Sequence, residues 1–232
     1  MNLGGYRVNR ELSSAASEYT ERFSRKISPA TALTLIVKPC LNRGASVASA
    51  FSHAVAALGI GACFYERRVP KRVWLIGAAC SVIPDLDVVG FRFGIRYGDF
   101  LGHRGFTHSL VFAALLASAI VATGFRRGVP GMGPVSIWLY CFLATSSHGL
   151  LDAMTDGGLG VAFFAPFNNH RYFLPWRPIR VSPIAVGRFF TDRGFVVLKS
   201  ELIWVWLPAG VLTIVALALR RRGTAAKNLK PS

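Results

Sequence analysis

The sequence predicts an all-α fold: an integral membrane helix bundle of about five membrane-embedded helices, with a His/Asp cluster at one membrane face. Three observations lead there. Of 232 residues, 52% are hydrophobic and only 16% are charged, whereas charges make up roughly a quarter of a soluble domain. The apolar residues fall into long runs punctuated by short basic loops. Histidines and aspartates stand at the ends of those runs rather than along them.

Residues 1–46 are polar and mixed in charge, with Glu11, Glu18 and Glu21 among basic residues, and are expected to form a mobile extension. The apolar stretch Ala30–Val37 is too short to span a bilayer, and the pattern of a secretory signal is poor. Residues 47–222 read as one membrane-embedded domain, with a basic tail at 223–232. The first two apolar runs, Ser49–Phe64 and Val73–Ile83, are short for a bilayer that needs about 20 helical residues, so tilt or re-entry is expected. Thr107–Phe125 and Val135–Met154 have the length of spans. Leu202–Leu219 is stopped by Arg220, Arg221 and Arg222. Between the last two runs lies a polar segment, 157–200, rich in Gly, Pro, Asn and Arg.

The 27 Lys and Arg against 11 acidic residues leave a net charge of +16. The basic residues gather between apolar runs, at Arg67–Arg68 with Lys71–Arg72, at Arg126–Arg127 and at Arg220–Arg222. That placement suits the cytoplasmic flanks of membrane helices and makes membrane lipid, not nucleic acid, the expected partner. The positive-inside rule then places these loops in the cytoplasm of a multi-pass protein, with the His/Asp cluster on the extracytoplasmic side. Residues 1–46 and 157–200, both net basic, run against it. Cys40, Cys63, Cys80 and Cys141 show no Cys-x-x-Cys spacing and read as small buried hydrophobes.

In an up-and-down bundle, the start of one helix and the end of the next share a face. His53 opens the first run; Asp85 and Asp87 close the second; His103 and His108 open the third; His148 and Asp152 end the fourth, with Asp156 just beyond. Topology alone therefore brings these residues together. His148 and Asp152 are four apart, on one helical face, a spacing that suits one cation held by imidazole and carboxylate, or a hydrogen-bonded cap. His103 and His108 flank Arg104, whose fork could clamp a phosphate or carboxylate, or simply meet lipid headgroups. Asp85 and Asp87 follow Pro84, as in an ordinary turn, but carboxylates at a membrane edge are functional candidates. Imidazole and carboxylate without thiolate suit zinc, and also manganese or iron. The inventory exceeds one ion's needs, so two metals or additional orienting residues are expected.

The runs Ala48–His53, Pro84–Asp87, His103–His108 and Ser147–Asp152, with Arg171–Ile179, resemble the YdjM-like family of bacterial inner-membrane proteins, described as metal-dependent hydrolases. The likeness covers about residues 47–219, in the same order. Members of that family usually start near the segment resembling Ala48–His53, so an upstream start codon is the expected origin of residues 1–46. More distantly, the ligand order is similar to that of zinc-dependent phospholipase C and P1-type nucleases. Those enzymes use more than the one His-x-x-x-Asp present here. The resemblance implies hydrolysis of a phosphoester in a lipid or other membrane-proximal small molecule. His53, Asp85, Asp87, His103, His108, His148 and Asp152 are the expected ligands, Asp156 the proton acceptor, and Arg104, Arg171 and Arg177 the anion-holding groups. The alternative is a non-enzymatic membrane protein with a structural or transport-related metal site. Polar groups at helix ends rather than at the midplane disfavour transport.

Overall fold

One helix organises the molecule. Between Pro134 and Ala153, the buried side chains Ile137, Tyr140, Cys141, Ala144, Thr145, His148, Leu151 and Asp152 recur at helical spacing, on one face. The face is apolar at its start and carries His148 and Asp152 at its end. The helix thus packs through its first half and delivers polar groups with its second.

The computed structural model describes residues 46–47, 50–183 and 192–228, all within one unit, Ala45–Ser232. The extension expected over residues 1–46 lies outside the described residues apart from Ser46. In chain order the elements are β1 (Ser46–Val47), α1 (Ala50–Ala62), α2 (Lys71–Cys80), a 3-10 arm (Ile83–Phe93), a 3-10 turn (Phe106–His108), α3 (Leu110–Gly124), α4 (Pro134–Ala153), β2 (Ser182–Pro183), α5 (Asp192–Glu201), a π turn (Leu202–Trp206) and α6 (Leu207–Asn228). Among the described residues the fold is helical apart from the two-residue antiparallel pairing of β1 with β2 and three isolated bridges. Helix α4 packs against α1, α2 and α3, and α1 packs against α2 and α6. Val73, Cys80, Ala117, Ile137, Tyr140, Cys141 and Ala144 fill the core between them.

The five expected helices are all present, and among the described residues one of them is by itself long and apolar enough to cross a membrane. Helix α5, the π turn and α6 join into one apolar helix, Gly194–Arg222, long enough to cross a membrane. Helix α2 and the 3-10 arm pass the same test only together, bent by 40° at their break. Helices α1 and α3, with 13 and 15 residues, are apolar but short. At 1.5 Å per residue they reach only about 20 Å, against roughly 30 Å of hydrocarbon. Helix α3 starts at Leu110 rather than Thr107 because Ser109 adopts an extended backbone and its Oγ accepts the Phe112 N–H at 3.0 Å. The last helix begins ten residues before Leu202, inside the segment that the sequence reads as polar.

The segment after α4 is tied down. Ile179 N–H donates to the Met154 carbonyl, Leu174 N–H to that of Ala153, and Ala162 N–H to that of Arg104. It crosses the polar end of α4 and the turn before α3. At the opposite end the basic loops meet. Arg72 lies over the Phe125 ring, and Arg220 donates to the carbonyls of Cys63 and Tyr65.

Candidate metal centre

Four elements deliver the cluster: the start of α1, the 3-10 arm, the turn before α3 and the end of α4. Nε2 of His148 lies 3.0 Å from Nε2 of His108 and 3.3 Å from Oδ1 of Asp85. Oδ2 of Asp152 is 3.4 Å from His108 Nε2 and 3.7 Å from His148 Nε2, and Asp85 Oδ1 is 3.7 Å from His108 Nε2. All four ligand atoms lie within 4.8 Å of one another. A tetrahedral ion with bonds of about 2.0–2.2 Å sets its ligand atoms roughly 3.3–3.6 Å apart. The spacings observed bracket that range. The cluster can therefore hold a metal ion.

The tautomers of the two histidines follow from their outer nitrogens. His148 Nδ1 is 2.7 Å from the Ser81 carbonyl, which can only accept, so Nδ1 carries the proton. His108 Nδ1 faces Thr107 Oγ1 at 3.0 Å and Asp87 Oδ2 at 3.3 Å, and the Thr107 hydroxyl itself donates to Asp87 Oδ2 at 2.6 Å. His108 Nδ1 is therefore a donor as well. Both Nε2 atoms then face each other and two carboxylates, so a proton or a metal ion is the group that can stand between them. Asp85 Oδ1 and Asp152 Oδ1 accept no hydrogen bond among the described residues, while Asp152 Oδ2 faces the Arg104 guanidinium at 3.0 Å. Buried carboxylates need positive charge beside them; Arg104 supplies it to Asp152, and a proton on His108 or a metal ion can supply it between the histidines. Burial works against charge on His108, but the neighbouring carboxylates of Asp152, Asp85 and Asp87 outweigh it and hold its proton affinity well above that of a free imidazole.

A second group backs the first. His103 Nδ1 meets Asp87 Oδ1 at 2.7 Å, so Asp87 joins His103, Thr107 and His108 behind the cluster. His53 stacks on His148 with ring centroids 3.8 Å apart, and its Nε2 stands 3.8 Å from Asp152 Oδ1. Neither ring nitrogen of His53 has a hydrogen bond among the described residues. Arg104 is fully buried with φ at 63°. Its Nε lies 3.0 Å from Asp152 Oδ2, while one terminal nitrogen donates to Thr155 Oγ1 and the Gly157 carbonyl. Gly158 leaves room for that guanidinium, since a Cβ there would stand 2.5 Å from it.

Other expected site residues lie apart. Asp156 is engaged by Arg180 at 2.7 Å and by the Val181 N–H. Arg171 spends its guanidinium on the carbonyls of His103, Tyr97 and Asp99, bracing the loop before the turn. Arg177 is exposed and stacks on Phe173. His170 is exposed in the long loop, its N–H bonded to Asn168. Sequence reasoning missed Ser81, Thr107 as a partner of Asp87, and the buried Ser52–Glu201 hydrogen bond of 2.7 Å. The Ser81 contribution is a backbone carbonyl, which leaves no trace in residue type. Of the cavities, one of about 220 Å³ lies beside Asp156 and Arg180 and one of about 140 Å³ beside Asp99 and Arg171, neither of them lined by cluster residues.

Residues 49–224 match the family described as YdjM inner membrane protein. The inner membrane protein YbcI of Escherichia coli (strain K12) is 42% identical over 171 residues, covering 74% of this chain and 97% of that protein. No solved structure matches the chain.

Proposed function

The chain belongs to the YdjM inner membrane protein family, and from that premise we propose a multi-pass, membrane-bound metal-dependent hydrolase acting on a phosphoester or similar membrane-proximal substrate. The observation that carries the proposal is the pair of imidazole Nε2 atoms 3.0 Å apart, with oxygens of Asp85 and Asp152 within 3.7 Å of both. His108, His148, Asp85 and Asp152 are the proposed ligands, with zinc the best match to that donor set and manganese or iron next. Asp87 and His103 orient His108, as carboxylate partners of ligand histidines do. When bound, a divalent ion supplies Lewis acidity that polarises an anionic oxygen and acidifies water toward neutral pH.

The protein's own groups complete the chemistry. His53, stacked on His148 with its Nε2 3.8 Å from Asp152 Oδ1, is proposed as a further ligand at the edge of the set. Arg104 neutralises Asp152 and so leaves the site able to accept an anionic group. The basic loops that meet at the far end of the bundle support a cytoplasmic position for that end and an extracytoplasmic one for the cluster. A structural metal site is the second reading, favoured by the near-complete burial of four ligands. The surplus groups His53 and His103 favour an open site.

The test is metal content of detergent-purified protein, beside His148→Ala and Asp152→Ala. Near-stoichiometric metal in the parent and loss in both variants is expected. Full retention in either variant would remove that residue from the ligand set. Metal without turnover across a phosphoester panel would favour the structural site.

A further inference from the structure

One edge of the cluster reaches the molecular surface. The side chains of His53, His108, His148 and Asp152 are fully enclosed, while Asp85, with its Oδ1 buried against the histidines, is 15% exposed through the rest of its side chain. Asp85 sits on the 3-10 arm Ile83–Phe93, where positions three apart eclipse one another. Leu86, Val89 and Arg92 therefore form one row, and all three are exposed, Leu86 by 63% and Val89 by 50%. Phe93, closing the arm, is 79% exposed. Asp85 and Asp87, on either side of Leu86, turn inward to the histidines.

Water is a poor neighbour for that row. The arm and α2 meet at 40°, and only the two together have the length and apolar content of a membrane-crossing segment. An apolar row ending in an arginine fits a short amphipathic helix lying in the interfacial plane, aliphatic groups in the acyl layer and the cation among anionic headgroups.

We propose that the cluster opens sideways at Asp85 into the headgroup region of the bilayer, and that its substrate is a membrane-dissolved anionic amphiphile. The substrate's chains lie against Leu86 and Val89, its headgroup meets the cluster at Asp85, and Arg92 supplies positive charge in the same plane. The substrate class rests on the hydrolase reading above; the sideways opening does not.

Two measurements on the full chain in phospholipid vesicles separate these parts. A Leu86→Trp variant, compared with the parent protein, reports what surrounds the arm, and Val89→Trp repeats the measurement if the first fails to fold. The added fluorescence is expected to be quenched by tail-brominated lipid and hardly by acrylamide. Brominated phosphatidylglycerol should quench about two- to fivefold more than brominated phosphatidylcholine, a preference that Arg92→Gln abolishes. Quenching by acrylamide alone, or equal quenching by the two lipids, overturns the opening. Zinc-loaded protein is then offered phosphatidylglycerol in vesicles and soluble glycerophosphoglycerol, which has the same headgroup without chains. Turnover of the vesicle lipid, reduced about tenfold by Val89→Glu, is expected. Equal turnover of both overturns the substrate class, and no turnover of either overturns the hydrolase reading while the quenching result stands.

Discussion

Gly149 offers the sharpest test of whether the cluster's geometry, rather than its composition, holds the metal. A Cβ added there would stand 2.9 Å from the His108 carbonyl oxygen and 3.4 Å from Val161 and Phe163. Carbon–oxygen contacts settle at about 3.3–3.6 Å, so Gly149→Ala must push the His108 turn away from α4 by roughly 0.5 Å. The ring of His108 travels with that backbone, and metal–ligand distances tolerate only about 0.2 Å. We expect zinc affinity to fall about 10- to 100-fold, the size of effect seen when ligand orientation is disturbed. Stability should change far less. Overpacking costs about 1–3 kcal/mol, and replacing a mid-helix glycine by alanine returns about 1 kcal/mol. The assay is competition for zinc against a chromogenic chelator, alongside the melting temperature of the metal-free protein. Wild-type affinity in a variant whose melting temperature has dropped would refute the reasoning, because the strain would then be absorbed without moving His108.

Asp87→Asn should keep metal stoichiometry at saturating zinc but lower affinity about 10- to 100-fold, since it weakens the acceptor behind His108; unchanged affinity would reduce Asp87 to a turn residue. The carboxylates that raise the proton affinity of His108 make the proton a competitor of the metal. Below its raised pKa the ring is protonated, so zinc uptake must expel that proton. Affinity should therefore climb about tenfold per pH unit below that raised pKa and level off once His108 loses its proton unaided. Calorimetry in buffers of different protonation enthalpy would reveal the released proton, and a flat profile would contradict it. Asp156→Ala removes a partly exposed ion pair with Arg180, so a stability change within about 1 kcal/mol and undiminished metal are expected. Loss of metal in that variant would bring Asp156 back into the site.

The helices and their polar ends are legible in the sequence because helical periodicity and end position are local properties. Alternation of direction then suffices to bring His53, Asp85, His108, His148 and Asp152 to one end, without knowledge of any contact. Depth in the membrane is not legible in the same way. The run Thr107–Phe125 has the length of a span in the sequence, but its helix starts where capping dictates, at Ser109, and α1 keeps only 13 residues of a run already short. The division of labour within the cluster is likewise tertiary. His103 and His108 both turn Nδ1 to Asp87 and His148 turns its own to the Ser81 carbonyl, yet only His108 and His148 stand where Nε2 meets Asp85 and Asp152. Asp156 lies four residues beyond Asp152, yet the chain has left the helix by then, and Arg180, from the returning loop, claims it. Residue type and spacing decide which groups gather at one face; only side-chain partners distant in sequence decide which nitrogen of a histidine, and which of several aspartates, faces the ion.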